Sequence, residues 1–300
     1  MTTELDYFFS EPADHYGFLR TVADGDAGPG WEDLRGDAAL AFAALEQPGA
    51  DLLIDPAVAD WRGPPGELRR AAAGLPADIG GLDVRAVIST IADLLEATAD
   101  RYRKQALPQR REQVHRAIGY LDQSFKPAAQ ACLDFIADAF DLTLPPVVRC
   151  ALLASGLRVG GVTNENLYGE PVCLVAVDVG ANTLLMESIL NEATHAGAWS
   201  PEWPPRGSGP ITTLMLGVAE RGLDGGELNQ VWHVPFFITA AEAVRRYIDP
   251  AHVPYGEAKS YYQRCRQAAD LVMPVWTARL AGELTGQAAV DRILAQLPHA

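Results

Sequence analysis

Two short apolar runs near the middle of the chain limit what it can fold into. "PPVVRCALLAS" (145–155) and "PVCLVAVDVG" (171–180) are bounded by proline and glycine, the mark of buried strands. Between them, "LRVGGVTNENLYGE" has room for a third, shorter strand with turns on either side. Elsewhere the apolar spacing is helical. Val84, Val87, Ile88, Ile91, Leu94 and Leu95 recur every three or four residues through Tyr102. A second helix follows Pro108, with Val114, Ile118 and Leu121 on one face. A third starts near Pro127, a favoured first-turn position, and carries Cys132, Phe135, Ile136 and Phe140. A helix over 182–198 is ended by "WSPEWPPRGSGP", and helices over 211–221, 235–247 and 255–284 follow, with a last one to Leu297. The first 80 residues are poorly periodic; a helix around Trp31–Leu45 is expected there, with "GDAGPG" and "WRGPPG" as turns. The fold class is α+β, mostly helical, with a short sheet. The expected division is an N-terminal helical and irregular region over 1–105 and a main domain over 106–300.

The net charge of −15 argues against a nucleic-acid partner, which needs a basic footprint, and equally against an anionic membrane surface. The amino terminus "MTTELDYFFSEP" has neither a basic nor an apolar signal segment, so a cytoplasmic protein is expected. Cys132, Cys150, Cys173 and Cys265 form no C-x-x-C pair and suit free thiols in a reducing compartment.

The chemistry-bearing stretch is "ESILNEATHAGAW" (187–199), an Asn-Glu-x-x-His. Spacing alone says little: random placement of the chain's Glu and His gives Glu-x-x-His about one time in three. "REQVH" (111–115) repeats the spacing on another helix. Helical geometry says more. Leu185, Ile189, Ala193 and Ala196 fall in one ~80° arc, while Glu187, Ser188, Asn191 and His195 cluster opposite, with Glu192 at the border. An amphipathic helix with its polar face in water is the ordinary reading; a face of metal-coordinating groups is the other.

Downstream, "VWHVPFFITAAEAVRRYI" places His233 before a helix on which Glu242 and Arg246 lie one turn apart, so that Arg246 can hold Glu242. An i,i+4 surface pair is the alternative. His15, His115 and His299 have no acidic or nucleophilic partner at a recognisable spacing, and His252, in "DPAHVPYGE", is left without a role. Trp199, Trp203 and Trp232 flank the site and suit a pocket wall.

Taken together, residues 125–297 resemble the zincin metallopeptidase fold in its gluzincin branch, and "WHVPFFITAAEAVRR" is similar to a segment of bacterial proteins of this kind. The resemblance implies a zincin-like domain with the sheet packed on the motif helix and a C-terminal helical subdomain. It implies Zn held by Asn191, His195 and Glu242, with Glu192 as general base and His233 stabilising an oxyanion or standing in as a ligand. Asn191 departs from the pattern, since a carboxamide suits Zn²⁺ less well than imidazole; Glu187, one turn earlier, is the residue placed to compensate. Two functions are therefore expected to compete. One is a metal-dependent hydrolase acting on a peptide or a small molecule. The other is a metal-free descendant using Glu192, His195, His233 and Glu242 for acid–base chemistry such as isomerisation, cyclisation or elimination, or for ligand binding.

Overall fold

The computed structural model describes residues 2–43, 68–69, 78–79, 82–157, 160–165, 171–178, 180, 182–198, 209–223 and 226–298. Trp199, Trp203, "WRGPPG" and His299 lie outside them. The chain forms two compact units that interleave along the sequence, one of Leu5–Leu121 and Val147–Gly180, the other of Met1–Glu4, Asp122–Pro146 and Ala181–Ala300. The architecture is α+β and mostly helical.

The first unit is built round a sheet. Strand β1 (Glu4–Phe9) leads into helix α1 (Glu11–Asp24), whose N-cap Ser10 accepts from the Ala13 amide and whose C-cap Gly25 takes the left-handed conformation at φ 87°. The sequence reading missed both elements, because Asp14, His15 and Arg20 are buried in α1 and interrupt its apolar period. The expected helix near Trp31 is a 3-10 turn running into α2 (Arg35–Ala43). Helix α3 (Val84–Gln105) is capped by Asp83, whose carboxylate accepts from the Ala86 amide, and α4 (Leu107–Tyr120) has Pro108 in its first turn. Strands β2 (Val147–Leu153), β3 (Gly161–Glu165) and β4 (Pro171–Ala176) complete a sheet of order β1-β2-β4-β3. β2 and β4 run parallel, Cys150 opposite Cys173, while β3 runs antiparallel to β4. As central strands, β2 and β4 read as unbroken apolar runs, and Cys150–Leu153 and Val172–Ala176 are all buried.

Helix α1 packs on β2, α2, α3 and α4. At its centre Asp14 is fully buried and takes four donors: Arg110 Nε (2.7 Å) and Nη2 (3.0 Å), the Tyr102 hydroxyl and the Ala154 amide (2.6 Å). Arg110 also donates to Ser155 Oγ at 2.9 Å. The turn after β2 comes so close to α1 that a Cβ on Gly156, at φ 106°, would lie 1.9 Å from the Gly17 carbonyl oxygen, so only glycine fits.

The second unit is helical. It comprises α5 (Lys126–Phe140), α6 (Asn182–Ala198), α7 (Pro210–Ala219), a 3-10 turn (Glu227–Trp232), α8 (Val234–Tyr247), α9 (Arg266–Leu280) and α10 (Gly286–Leu294). Helix α8 is the hub, packed against α5, α6, α9 and the 3-10 turn. Phe140, Phe236 and Trp276 meet in its core, and the Trp276 indole N–H donates to Thr239 Oγ1 at 2.9 Å. The long helix expected over 255–284 is broken into single turns at Tyr255–Ala258 and Tyr261–Arg264 before α9. Ser260 is left-handed (φ 56°) and Cys265 leaves helical geometry (ψ 46°), which no continuous helix accommodates. Among the described residues, no helix is long and apolar enough to cross a membrane.

Candidate functional site

Every residue of α6 from Leu184 to Ala196 is buried, including Glu187, Ser188, Asn191, Glu192, Thr194 and His195. Its polar face turns to α5, α8 and the Tyr255–Ala258 turn instead of to water. The exposed "REQVH" repeat on α4 shows the contrast, because His115 there stays on the surface. Glu187, Asn191 and His195 lie four residues apart and so form a stripe about 12 Å long.

At one end of the stripe His195 meets His233, with their Nε2 atoms 3.0 Å apart. His233 sits where the 3-10 turn enters α8, and that corner aims its ring across at α6. Trp232 stacks on His233 at 5.0 Å, and the Phe236 ring stands edge-on to His195 at 4.7 Å. Burial lowers the His195 imidazole well below its ordinary range, with His233 adding to the effect, and burial alone takes His233 down to about 4. Both rings are therefore neutral at pH 7, so one must donate and the other accept. Gln230 Oε1 accepts from the Tyr261 hydroxyl (2.9 Å) and lies 3.3 Å from His233 Nδ1. With the His233 proton on Nδ1, its Nε2 accepts from His195.

In the middle of the stripe Asn191 Nδ2 donates to Glu192 Oε1 at 3.1 Å, and the Asn191 Oδ1 atom is buried without a partner among the described residues. At the far end Glu187 Oε2 accepts from His252 Nε2 (2.6 Å) and from the Tyr255 amide (2.7 Å). Burial raises the Glu187 carboxyl above its ordinary range against the opposing pull of these two donors. Glu187 Oε1 and His252 Nδ1 are also buried and unpartnered among the described residues. Sequence reasoning left His252 without a role. Its prolines at 250 and 254 mark a stiff loop, the one signal that pointed to it. Gln230 and Tyr261 carried no signal at all.

Glu242 does not join this site. It follows His233 by nine residues on α8, which places it ~13 Å along the axis and ~180° around it. Its Oε1 accepts from Arg246 Nε at 2.7 Å, with the two side chains 30% and 38% exposed. The expected pairing with Arg246 is present, as a half-exposed ion pair. Arg246 further donates to the Leu280 carbonyl and lies over the Phe135 ring. Glu242 instead lines a cavity of about 190 Å³ on the other side of α8, together with Ile238, Arg245, Glu257, Tyr262 and Met273.

The three ligands expected for zinc, Asn191, His195 and Glu242, are not gathered at one point. Asn191 lies one turn from His195 on the same buried face of α6, but Glu242 is turned away on α8, and among the described residues no group of three His, Cys, Asp or Glu side chains converges as a metal site. The two imidazoles that do converge are close enough to share a hydrogen bond. No family model, curated protein or solved structure matches the chain.

Proposed function

We propose that the α6–α8 site is an acid–base centre acting on a small molecule, in a proton-transfer reaction of the isomerisation, cyclisation or elimination type. The observation that carries this reading is the hydrogen-bonded pair of neutral imidazoles, His195 and His233, held inside an aromatic cage. A neutral pair accepts a proton from a substrate and spreads the charge over two rings, which offsets part of the cost of placing a charge beside Trp232 and Phe236. Glu192, buried one turn from His195, is the second proton-transfer group. Asn191 Oδ1 supplies an unpaired acceptor for a substrate O–H or N–H.

A zinc hydrolase of the zincin-like kind is the second reading. Its support is the surviving Glu192-x-x-His195 spacing on a buried helix that follows the strands in sequence.

Elemental analysis and ¹⁵N-histidine NMR separate the two. The acid–base reading expects no stoichiometric zinc and two coupled, uncharged imidazoles at pH 7. Its turnover should fall about 10²-fold or more in His233→Gln and in Glu192→Gln. One tightly held zinc per chain, lost in His195→Ala, would replace it with the hydrolase.

A further inference from the structure

The cavity behind Glu242 lies on the face of α8 turned away from His233. Its charged groups are not all hydrogen-bonded among the described residues. Glu242 and Arg246 neutralise each other, whereas Arg245 uses only its Nε, on the His252 carbonyl at 3.0 Å. The terminal nitrogens of Arg245 make no hydrogen bond among the described residues. Glu257 forms no ion pair among them, and the Tyr262 hydroxyl has no hydrogen bond there. Arg245 lies within electrostatic reach of the buried Glu187 carboxyl, and Arg245 and Glu257 both act on Tyr262, so a cation with free terminal nitrogens, an anion and a hydroxyl share a cavity whose remaining walls include Ile238, Met273 and Leu280.

We propose that this cavity binds a small aliphatic zwitterion of the free amino-acid class. The ligand's carboxylate would lie on the Arg245 guanidinium and the Tyr262 hydroxyl, and its ammonium on Glu257. Its hydrocarbon side chain would rest against Met273 and Leu280. A planar guanidinium held at Nε keeps its two terminal nitrogens aligned for a carboxylate, the two-point geometry that makes arginine the usual partner of that group. At about 190 Å³ the space is below the ~300 Å³ at which drug-sized sites begin, and it suits a molecule of about leucine's size.

The test is titration of the whole chain, labelled at the methionine methyls, with three probes followed by NMR at Met273 and by calorimetry. The probes are leucine, 4-methylpentanoate (no ammonium) and 3-methylbutylamine (no carboxylate). Leucine should saturate and shift the Met273 methyl, and each analogue should bind about tenfold or more weakly, the loss expected for one charge-assisted contact. Glu257→Gln should weaken leucine by a similar factor and leave 4-methylpentanoate unchanged. Because Glu257 is exposed, this variant tests the assignment without disturbing the core; Arg245→Met also removes the bond to the His252 carbonyl and serves only as a supporting variant. No saturable binding of leucine up to about 20 mM would overturn the proposal, as would 4-methylpentanoate binding as tightly as leucine.

Discussion

The molecule contains two buried polar clusters that resemble each other in composition and differ in completeness. Around Asp14, in the sheet unit, four donors converge on two oxygens, and among the described residues no buried side-chain polar atom of that unit lacks a partner. Along α6, in the helical unit, Glu187 Oε1, Asn191 Oδ1 and His252 Nδ1 are left open. A closed network holds its elements in one arrangement; an open one keeps acceptors and donors that water or a ligand must meet. The difference teaches that burial of charge is no sign of function by itself. What distinguishes the α6 stripe is the unfinished pairing.

The largest effect should come from breaking the closed cluster. Asp14→Asn removes the charge that holds Arg110, whose side chain is only 12% exposed, and should destabilise the protein by about 3–5 kcal/mol in urea unfolding. A loss under about 1 kcal/mol would mean the cluster is not what fixes α1 to its neighbours.

Acidification should expose a property that both regions share. His15 bonds Thr98 Oγ1 and is driven to about 3 by burial, with Arg103 and Arg110 adding to it, as His233 is driven to about 4. Each folded value lies below the ordinary 6.5, so the unfolded chain takes up protons first. The stability these neutral rings contribute is complete above pH ~6.5 and is lost as pH falls, down to about 4 for His233 and about 3 for His15. In His15→Phe the dependence of unfolding midpoint on pH below 6.5 should be shallower than in the parent. Parallel curves would show that His15 is not held neutral.

The smallest effect sharpens the comparison most. Asn191→Leu replaces a buried amide whose Oδ1 has no partner among the described residues and whose Nδ2 bonds only the adjacent Glu192 there, and it should change stability by no more than about 1 kcal/mol, while abolishing any turnover that uses Oδ1. A loss above about 2 kcal/mol would make the open stripe a structural network like that of Asp14.

Local pattern made much of the fold legible. The apolar runs of β2 and β4, the short β3 between them, and α3, α4 and α5 all follow from spacing and proline position. Polar residues buried through distant partners were not legible. Asp14 is answered by Arg110, 96 positions away, and Glu187 by His252, 65 away, and no local period reports such pairs. For the same reason α1 looked irregular and the polar face of α6 looked like a solvent face. Of the site residues, His195 and His233 do meet, and Asn191 and Glu192 share their helix and its burial. Glu242 was drawn in by its arginine one turn away, a spacing that half-exposed helical pairs use as readily as buried ones.

Strand β1 has to wait for β2. Residues 4–9 are synthesised well before their hydrogen-bonding neighbour, 147–153, about 140 residues later, which leaves a long loop to close before the sheet gains anything. The parallel partner of β2 comes later still, at 171–176. Meanwhile α5, already made, belongs to a unit whose hub α8 is not translated until residue 234. Such an interleaved chain cannot be trimmed into halves that each keep a whole unit, and a break anywhere between residues 122 and 180 leaves both units missing a part.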